Sequence, residues 1–369
     1  MRAALLAVLI VSATMLPAAA NQFHREDLRI AMTAANPAGL EAMLVRPSGG
    51  GVFPLALMSH GAPRGGQEAR ATMSPYGMYR QAIEFARRGF AALVVMRRGY
   101  GTSGGRYAES SGPCAARDYL RSARASAGDL RAAIQAMQNR TDVSTNGMIA
   151  VGASAGGFAS IALSANPPPG LVAAISFAGG RGSRDDDDVC DEPALVRAFG
   201  ALGSTSRIPM LWIYAKNDKF FRPELAHQMH AAFTAAGGRA QLIDAPAFGD
   251  DGHTMFSRGI PLWTPMVDRF LREQNLGTRE LAAAPLPAAL SPPHGLREKG
   301  RSAFEAYLAA SPHKAFAASP TGGFAYRGGQ RSAAAAQDAA LAGCARFAAD
   351  CAVYAVDEEL IGKESAGAR

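Results

Sequence analysis

From Phe53 onward the chain alternates short, continuous apolar runs with longer segments in which apolar residues return every three or four positions. The runs are PLALMSHG, FAALVVMRRG, MIAVGAS, LVAAISFAGG, PMLWIYAKND and AQLIDAPAF. Between and after them lie MSPYGMYRQAIEFARRG, AGDLRAAIQAMQNR, AGGFASIALSA, PELAHQMHAAFTAAGG and PLWTPMVDRFLREQN. Strands apolar on both faces, separated by helices, predict an α/β domain with a mostly parallel sheet covered on both sides. Ahead of it, LRIAMTA and LEAMLVRP flank the turn formers Asn36, Pro37 and Gly39. That pattern predicts a strand pair entering the sheet.

The alternation stops near residue 276. The segment GTRELAAAPLPAALSPPHG places four prolines among small residues and reads as a linker over residues 277–298. Residues 299–369 then read helix, strand, strand, helix, strand, a small α+β module. About 70 residues make a marginal core on their own, so a structural or interaction role, such as contact with a cell-envelope component, is expected of it.

The first twenty residues, MRAALLAVLIVSATMLPAAA, combine one basic residue, an apolar run and a small-residue end. They read as a signal peptide cleaved near Ala20, which predicts a periplasmic or secreted protein whose large domain spans residues 21–276. Export changes the reading of the four cysteines. Cys344 and Cys351 lie close together and Cys114 and Cys190 remain for each other, so two disulfides are expected. Formal net charge is +7, but the basic residues are scattered, with no Lys/Arg-rich run or aromatic-basic module. A nucleic-acid partner is therefore not expected, nor is stable membrane insertion, since no later segment is long and apolar enough.

Candidate chemistry starts from a pattern that occurs twice. Gly-x-Ser-x-Gly appears at Ser154, in VGASAGG, and at Ser103, in YGTSGG, and 40 glycines make an accidental match easy. A nucleophile elbow needs a strand running straight into a tight turn and then a helix, with small neighbours around a strained serine. Ser154 has MIAVGA before it and FASIALSA after it; Ser103 lies five residues beyond its strand and is followed by the polar RYAESSGP. Ser154 is the expected nucleophile.

A serine hydroxyl needs a base, and the base an orienting acid. Of seven histidines, His24, His294 and His313 lie outside the α/β alternation, and His227 and His230 fall on a polar helix face with no third metal ligand. His253, in the loop FGDDGHTMF after the last strand, is the expected base. Asp218, just past the strand WIYAKND, is the expected acid; Asp250 and Asp251 are rivals on the same loop as His253, and Asp244 a weaker one. Backbone N–H groups of Ala62, after the strand end ALMSHG, and of Ala155, after the serine, are the expected oxyanion donors, Pro63 having no N–H. His60 is expected to be a structural hydrogen-bonder. No metal or organic cofactor is implied, and the acidic run Asp185 to Asp188 fits a solvated loop better than a Ca²⁺ or cationic-ligand site.

Together, SHGAP, RRGYGTSGG, VGASAGG, YAKND and DDGH, in that order over residues 38–275, resemble the α/β-hydrolase superfamily, in its dienelactone hydrolase and prolyl oligopeptidase-like branches. The resemblance implies an α/β-hydrolase fold and a serine hydrolase acting through Ser154, Asp218 and His253. It also implies that RRGYGTSGG helps wall the pocket, with His60, Tyr100 and Ser103 in that wall. Dienelactone hydrolases carry a cysteine where Ser154 stands, and prolyl oligopeptidases an N-terminal propeller for which this chain has no room. The expected substrate is a small-molecule ester, the alternative a short peptide or amide. A non-catalytic envelope-binding protein is the reading of a different class. The segments carrying Cys114 and Cys190, both expected above the C-terminal ends of strands, are the expected specificity elements.

Overall fold

A computed structural model describes residues 22–277, 281–285 and 289–361. The expected signal peptide and parts of the expected linker lie outside the described residues. Eight strands form one sheet: β1 (Phe23–Ile30), β2 (Leu40–Pro47), β3 (Phe53–Ser59), β4 (Ala91–Val95), β5 (Val143–Ala153), β6 (Leu171–Phe177), and, after a two-stranded hairpin β7 (Ser183–Asp185) and β8 (Asp188–Val189), β9 (Met210–Ala215) and β10 (Ala240–Ala245). Their spatial order is β1-β2-β4-β3-β5-β6-β9-β10. The first pair is the expected antiparallel entry, β2 runs antiparallel to β4, and β4 through β10 are parallel. From β3 the chain steps one way to β4 and then back past it to β5. That reversal opens a crevice at the C-terminal ends of β3 and β5, the usual place for a ligand in an open parallel sheet.

Helices cover both faces: α1 (Gly66–Ala71), α2 (Tyr79–Arg87), α3 (Tyr119–Met137), α4 (Ala155–Ser164), α5 (Glu192–Gly203), α6 (Pro223–Ala235), α7 (Met255–Arg258) and α8 (Ile260–Glu273). Alternate strand residues serve opposite cores. Leu55, Leu57 and Leu93 join Leu130, Phe158, Phe199 and Phe233 on the side of α3 to α6. Met58, Val94 and Val151 join Phe85, Trp263 and Phe270 on the side of α2 and α8. Each such side chain, fully buried, stabilises the fold by roughly 1.5–3 kcal/mol in transfer terms. Helix α4 is buried along its whole length, which explains why its sequence, AGGFASIALS, carries no charge.

Helix α5 and the hairpin β7–β8 are among the elements not expected, with the short helices α1 and α7. Helix α5 is capped by Asp191, whose carboxylate accepts the Ala194 N–H, with Pro193 in the first turn. The acid-rich segment ahead of it reads as loop, yet closes into the hairpin β7–β8, with Asp185 opposite Asp188.

Toward the C-terminus, α9 (Glu298–Leu308), β11 (Ala315–Ala318), β12 (Phe324–Arg327), α10 (Ala333–Cys344), β13 (Ala352–Val356) and β14 (Glu359–Leu360) follow, the four strands forming a second sheet ordered β12-β11-β13-β14. Helix α9 packs Phe304 and Tyr307 on Phe316, and α10 packs Ala336 and Ala340 on Ala315 and Ala317. Both expected disulfides are formed, Cys114 to Cys190 and Cys344 to Cys351. Among the described residues no helix is long and apolar enough to cross a membrane.

Candidate active site

Strand β5 ends at Ala153 and α4 begins at Ala155, so the chain reverses in a single residue, Ser154. Its backbone sits at φ 54°, ψ −123°, a conformation costly for any residue with a side chain and held only because the surroundings enforce it. The backbone N–H of Ser154 donates to Phe177 O at 2.8 Å, and its carbonyl accepts from Gly180 N at 3.2 Å. The flanking glycines are needed for space. A Cβ on Gly152 would lie 2.1 Å from Gly156 O, and one on Gly156 would lie 2.0 Å from Ser59 O.

The second match does different work. Ser103 Oγ donates to Met96 O at 2.6 Å and accepts from Glu41 N at 2.8 Å, tying its loop to β2. A Cβ on Gly104 would lie 2.0 Å from Ala35 O, because the loop packs directly on the turn between β1 and β2.

Asp218 follows β9 and His253 follows β10, both at the same end of the sheet as Ser154. His253 Nδ1 lies 3.0 and 3.1 Å from the two Asp218 carboxylate oxygens. Asp218 is buried and held in place by the backbone N–H groups of Phe220 and Phe221, which donate to Oδ1 at 2.8 and 2.9 Å. This pairing fixes Nδ1 as the protonated nitrogen and leaves the Nε2 lone pair available. Phe220 stacks flat on the imidazole, centroids 3.8 Å apart at 7°. The Arg64 guanidinium covers the Phe220 ring 3.6 Å from its centroid.

Two of the rival acids do other jobs. Asp251 accepts the His253 and Lys219 N–H groups at 2.9 and 3.1 Å, ordering the loop. Asp244 pairs with His227 at 3.0 Å, and His230 Nε2 bonds Ala240 O.

Ser154, Ala62 and Ala155 line one cavity of about 200 Å³ together with Phe220 and Phe221. Ala155 opens α4, so its amide has no partner within the helix. The Ala62 amide has no hydrogen bond among the described residues. Two N–H donors without a partner among the described residues thus border the serine. Ser154 Oγ itself makes no hydrogen bond among the described residues, to His253 or to any other group.

Tyr107, Glu109 and Arg181 complete one wall, whereas the expected wall residues His60, Tyr100 and Ser103 do not line the cavity. His60 and Tyr100 belong instead to a buried charge network on that side. Arg97 and Glu109 form an ion pair with both side chains fully buried; Arg181 Nη1 reaches the same carboxylate at 2.9 Å and the Tyr100 hydroxyl donates to it at 2.9 Å. Burial alone would raise the Glu109 carboxyl, but Arg97 and Arg181 outweigh it and hold it at about 2. His60 accepts the Arg97 N–H on Nε2 at 3.1 Å and donates from Nδ1 to Gly61 O. Burial, reinforced by Arg97, lowers it to about 3, so it is a neutral structural group. No periodicity or motif marks Glu109 or Arg181, since each becomes a wall residue only through charges more than ten residues away.

A family model described as X-Pro dipeptidyl-peptidase (S15 family) matches residues 38–205. Among solved structures, the apo form of esterase 2 from Thermogutta terrifontis superposes with a TM-score of 0.50 at 16% identity, over 69% of this chain and 96% of that one. With the sheet order and the strand-to-helix elbow, that settles the fold. The chain has the α/β-hydrolase fold. The esterase Pf2001 of Pyrococcus furiosus gives a TM-score of 0.46 at 15% identity, over 68% of this chain and 90% of that one. An acylaminoacyl peptidase of Pyrococcus horikoshii gives 0.48 at 15%, over 72% and 44%. No curated protein matches the sequence.

Within the α/β-hydrolase fold the two Gly-x-Ser-x-Gly segments occupy different places: Ser154 at the elbow in the cavity, Ser103 in a loop packed on the turn between β1 and β2. The Cys114 to Cys190 bridge joins the two segments that overhang the cavity. Among the described residues no group of three His, Cys, Asp or Glu side chains could hold a metal ion.

Proposed function

We propose that the protein is an exported serine hydrolase that cleaves carboxylic esters through Ser154, His253 and Asp218. The reading rests on one observation above all: a buried carboxylate holds Nδ1 of His253 at the same sheet end where Ser154 is strained into a cavity bordered by two N–H groups that have no partner among the described residues. Substrate binding brings Nε2 of His253 to the Ser154 hydroxyl, a contact that commonly tightens only in the loaded site. His253 takes the proton as Oγ attacks the ester carbon. Asp218 orients the imidazole and stabilises the imidazolium. The developing oxyanion accepts from Ala62 and Ala155 N–H, each such donor typically worth roughly 3–4 kcal/mol in the transition state. His253 then protonates the leaving alcohol, and water, deprotonated by the same histidine, releases the acid. The two disulfides and the signal-like leader support export, because such bridges persist in oxidising compartments.

The match to a dipeptidyl-peptidase family model supports a peptidase reading of the same chemistry. An aminopeptidase site needs a free carboxylate to hold the substrate's terminal amine. Glu109, the carboxylate in the cavity wall, already serves Arg97, Arg181 and Tyr100, so the ester reading is the better supported one.

A fluorophosphonate probe tests the reading. The expected result is stoichiometric labelling of the mature protein that disappears in Ser154→Ala and persists in Ser103→Ala. A wild-type protein that stays unlabelled, or label retained in Ser154→Ala, would overturn it.

A further inference from the structure

One side of the cavity is built for more than shape. Ser111 is only 4% exposed, lines the cavity, and its hydroxyl has no hydrogen-bond partner. A buried hydroxyl left unpaired costs on the order of 1–3 kcal/mol, so a site that keeps one is normally completed by something else.

Beside it lies Arg117, whose Nε is likewise buried and unpartnered. Its Nη1 donates to Gly112 O and its Nη2 to Cys190 Sγ at 3.3 Å, and no carboxylate forms an ion pair with it among the described residues. Arg181 lines the same wall, with Nη1 on Glu109 and Nη2 donating to the Tyr107 hydroxyl at 2.6 Å. Its Nε makes no hydrogen bond among the described residues.

Three guanidiniums, on Arg97, Arg117 and Arg181, thus face two carboxylates, Glu109 and Asp191. Asp191 is occupied by backbone: its Oδ1 takes the Ala194 N–H at 3.1 Å and its Oδ2 the Arg117 N–H at 3.4 Å. Arg64 at the rim pairs with Asp186 at 3.0 Å, a carboxylate that Lys219 also reaches at 3.4 Å. Arg70, over the Tyr107 ring at 3.9 Å and without an ion pair among the described residues, adds to these guanidiniums, so this wall carries more cations than carboxylates.

We propose that Arg117, Arg181 and Ser111 form an anion subsite that takes a free carboxylate on the acyl part of the substrate, so that the preferred substrates are half-esters of short dicarboxylic acids. This rests on the ester-hydrolase reading and narrows its substrate class. A planar guanidinium matches a carboxylate in geometry as well as charge. The cavity volume of about 200 Å³ admits a short acyl chain. The disulfide fixes the subsite, because Arg117 lies three residues after Cys114 and touches the sulfur of Cys190.

The test compares monoethyl succinate with ethyl 4-methylpentanoate, in which an isopropyl group of the same shape replaces the carboxylate, both followed by acid release. The wild type should prefer the anionic ester by about tenfold or more in kcat/KM, the worth of one charge-assisted hydrogen bond pair. That ratio should fall to near one in Arg117→Gln and severalfold in Ser111→Ala, the milder change should the arginine variant not fold. Hydrolysis of both esters without preference, or a preference untouched by either substitution, would sink the subsite and leave the hydrolase reading standing. Should neither ester be cleaved, calorimetric binding of monoethyl succinate to Ser154→Ala decides separately: binding lost on adding Ser111→Ala supports the subsite, and no binding at all overturns it.

Discussion

Asp218 offers its carboxylate to three donors, two backbone amides and the His253 imidazole. Replacing it by Asn keeps the size but presents an N–H to Nδ1, which pushes the imidazole toward the wrong tautomer. Asp218→Asn should lower kcat for a p-nitrophenyl ester by about 10³- to 10⁴-fold with little change in KM. A loss below tenfold would show that another group orients His253. Ser103 supplies the contrast, because its two hydrogen bonds run to backbone on β2 and beside β4. Ser103→Ala should cost about 1–2 kcal/mol of stability in urea unfolding and leave the labelling rate at Ser154 unchanged. A slower labelling rate would place Ser103 in the site after all.

At the scale of elements, the cavity is assembled from strand ends on one side and disulfide-tied loops on the other. The Cys114 to Cys190 bridge closes a separation of 76 residues that includes β5, α4 and β6. In the loop-closure model such a bridge restricts the unfolded chain by about 4.5 kcal/mol. The double variant Cys114→Ser/Cys190→Ser should therefore unfold at markedly lower urea concentration; a midpoint within experimental error of the wild type would refute that contribution. The elements themselves were largely legible. Continuous apolar runs such as FAALVVM are buried on both faces, and only a covered sheet offers that. Helix α5 and the hairpin β7–β8 were not, because the acidic run ahead of α5 is read from composition as solvated loop. It is the pairing of backbone groups in β7 and β8, and of Arg64 with Asp186, that orders it.

Across the whole molecule, the buried network beneath the cavity links stability to pH. His60 has its folded value lowered from 6.5 to about 3 by burial and Arg97. The unfolded chain therefore binds a proton that the folded one does not between those values, and stability falls as pH drops through that window. Each pH unit costs about 1.4 kcal/mol from this group. Glu109, held at about 2 against 4.5, acts in the same sense lower down: its contribution is full above 4.5 and is lost as pH falls toward 2. Urea unfolding at pH 7 and pH 5 should differ by about 2 kcal/mol from His60 alone, and the difference should shrink by that amount in His60→Asn. An unchanged slope in the variant would assign the pH dependence elsewhere.

Local order is what the sequence by itself determined here: which runs are strands, where the chain turns at Ser154, and that Asp218 and His253 follow strand ends. These follow from periodicity and from the small residues a tight turn demands, both written within a few positions of the element concerned. What only the tertiary structure decided is the wall that faces the serine. Glu109, Arg117, Arg181 and Ser111 come from two loops that β5, α4 and β6 separate, and their charges and unpaired donors acquire meaning only when a disulfide and a shared carboxylate bring them together. Electrostatic pairing acts through space and leaves no period in the chain.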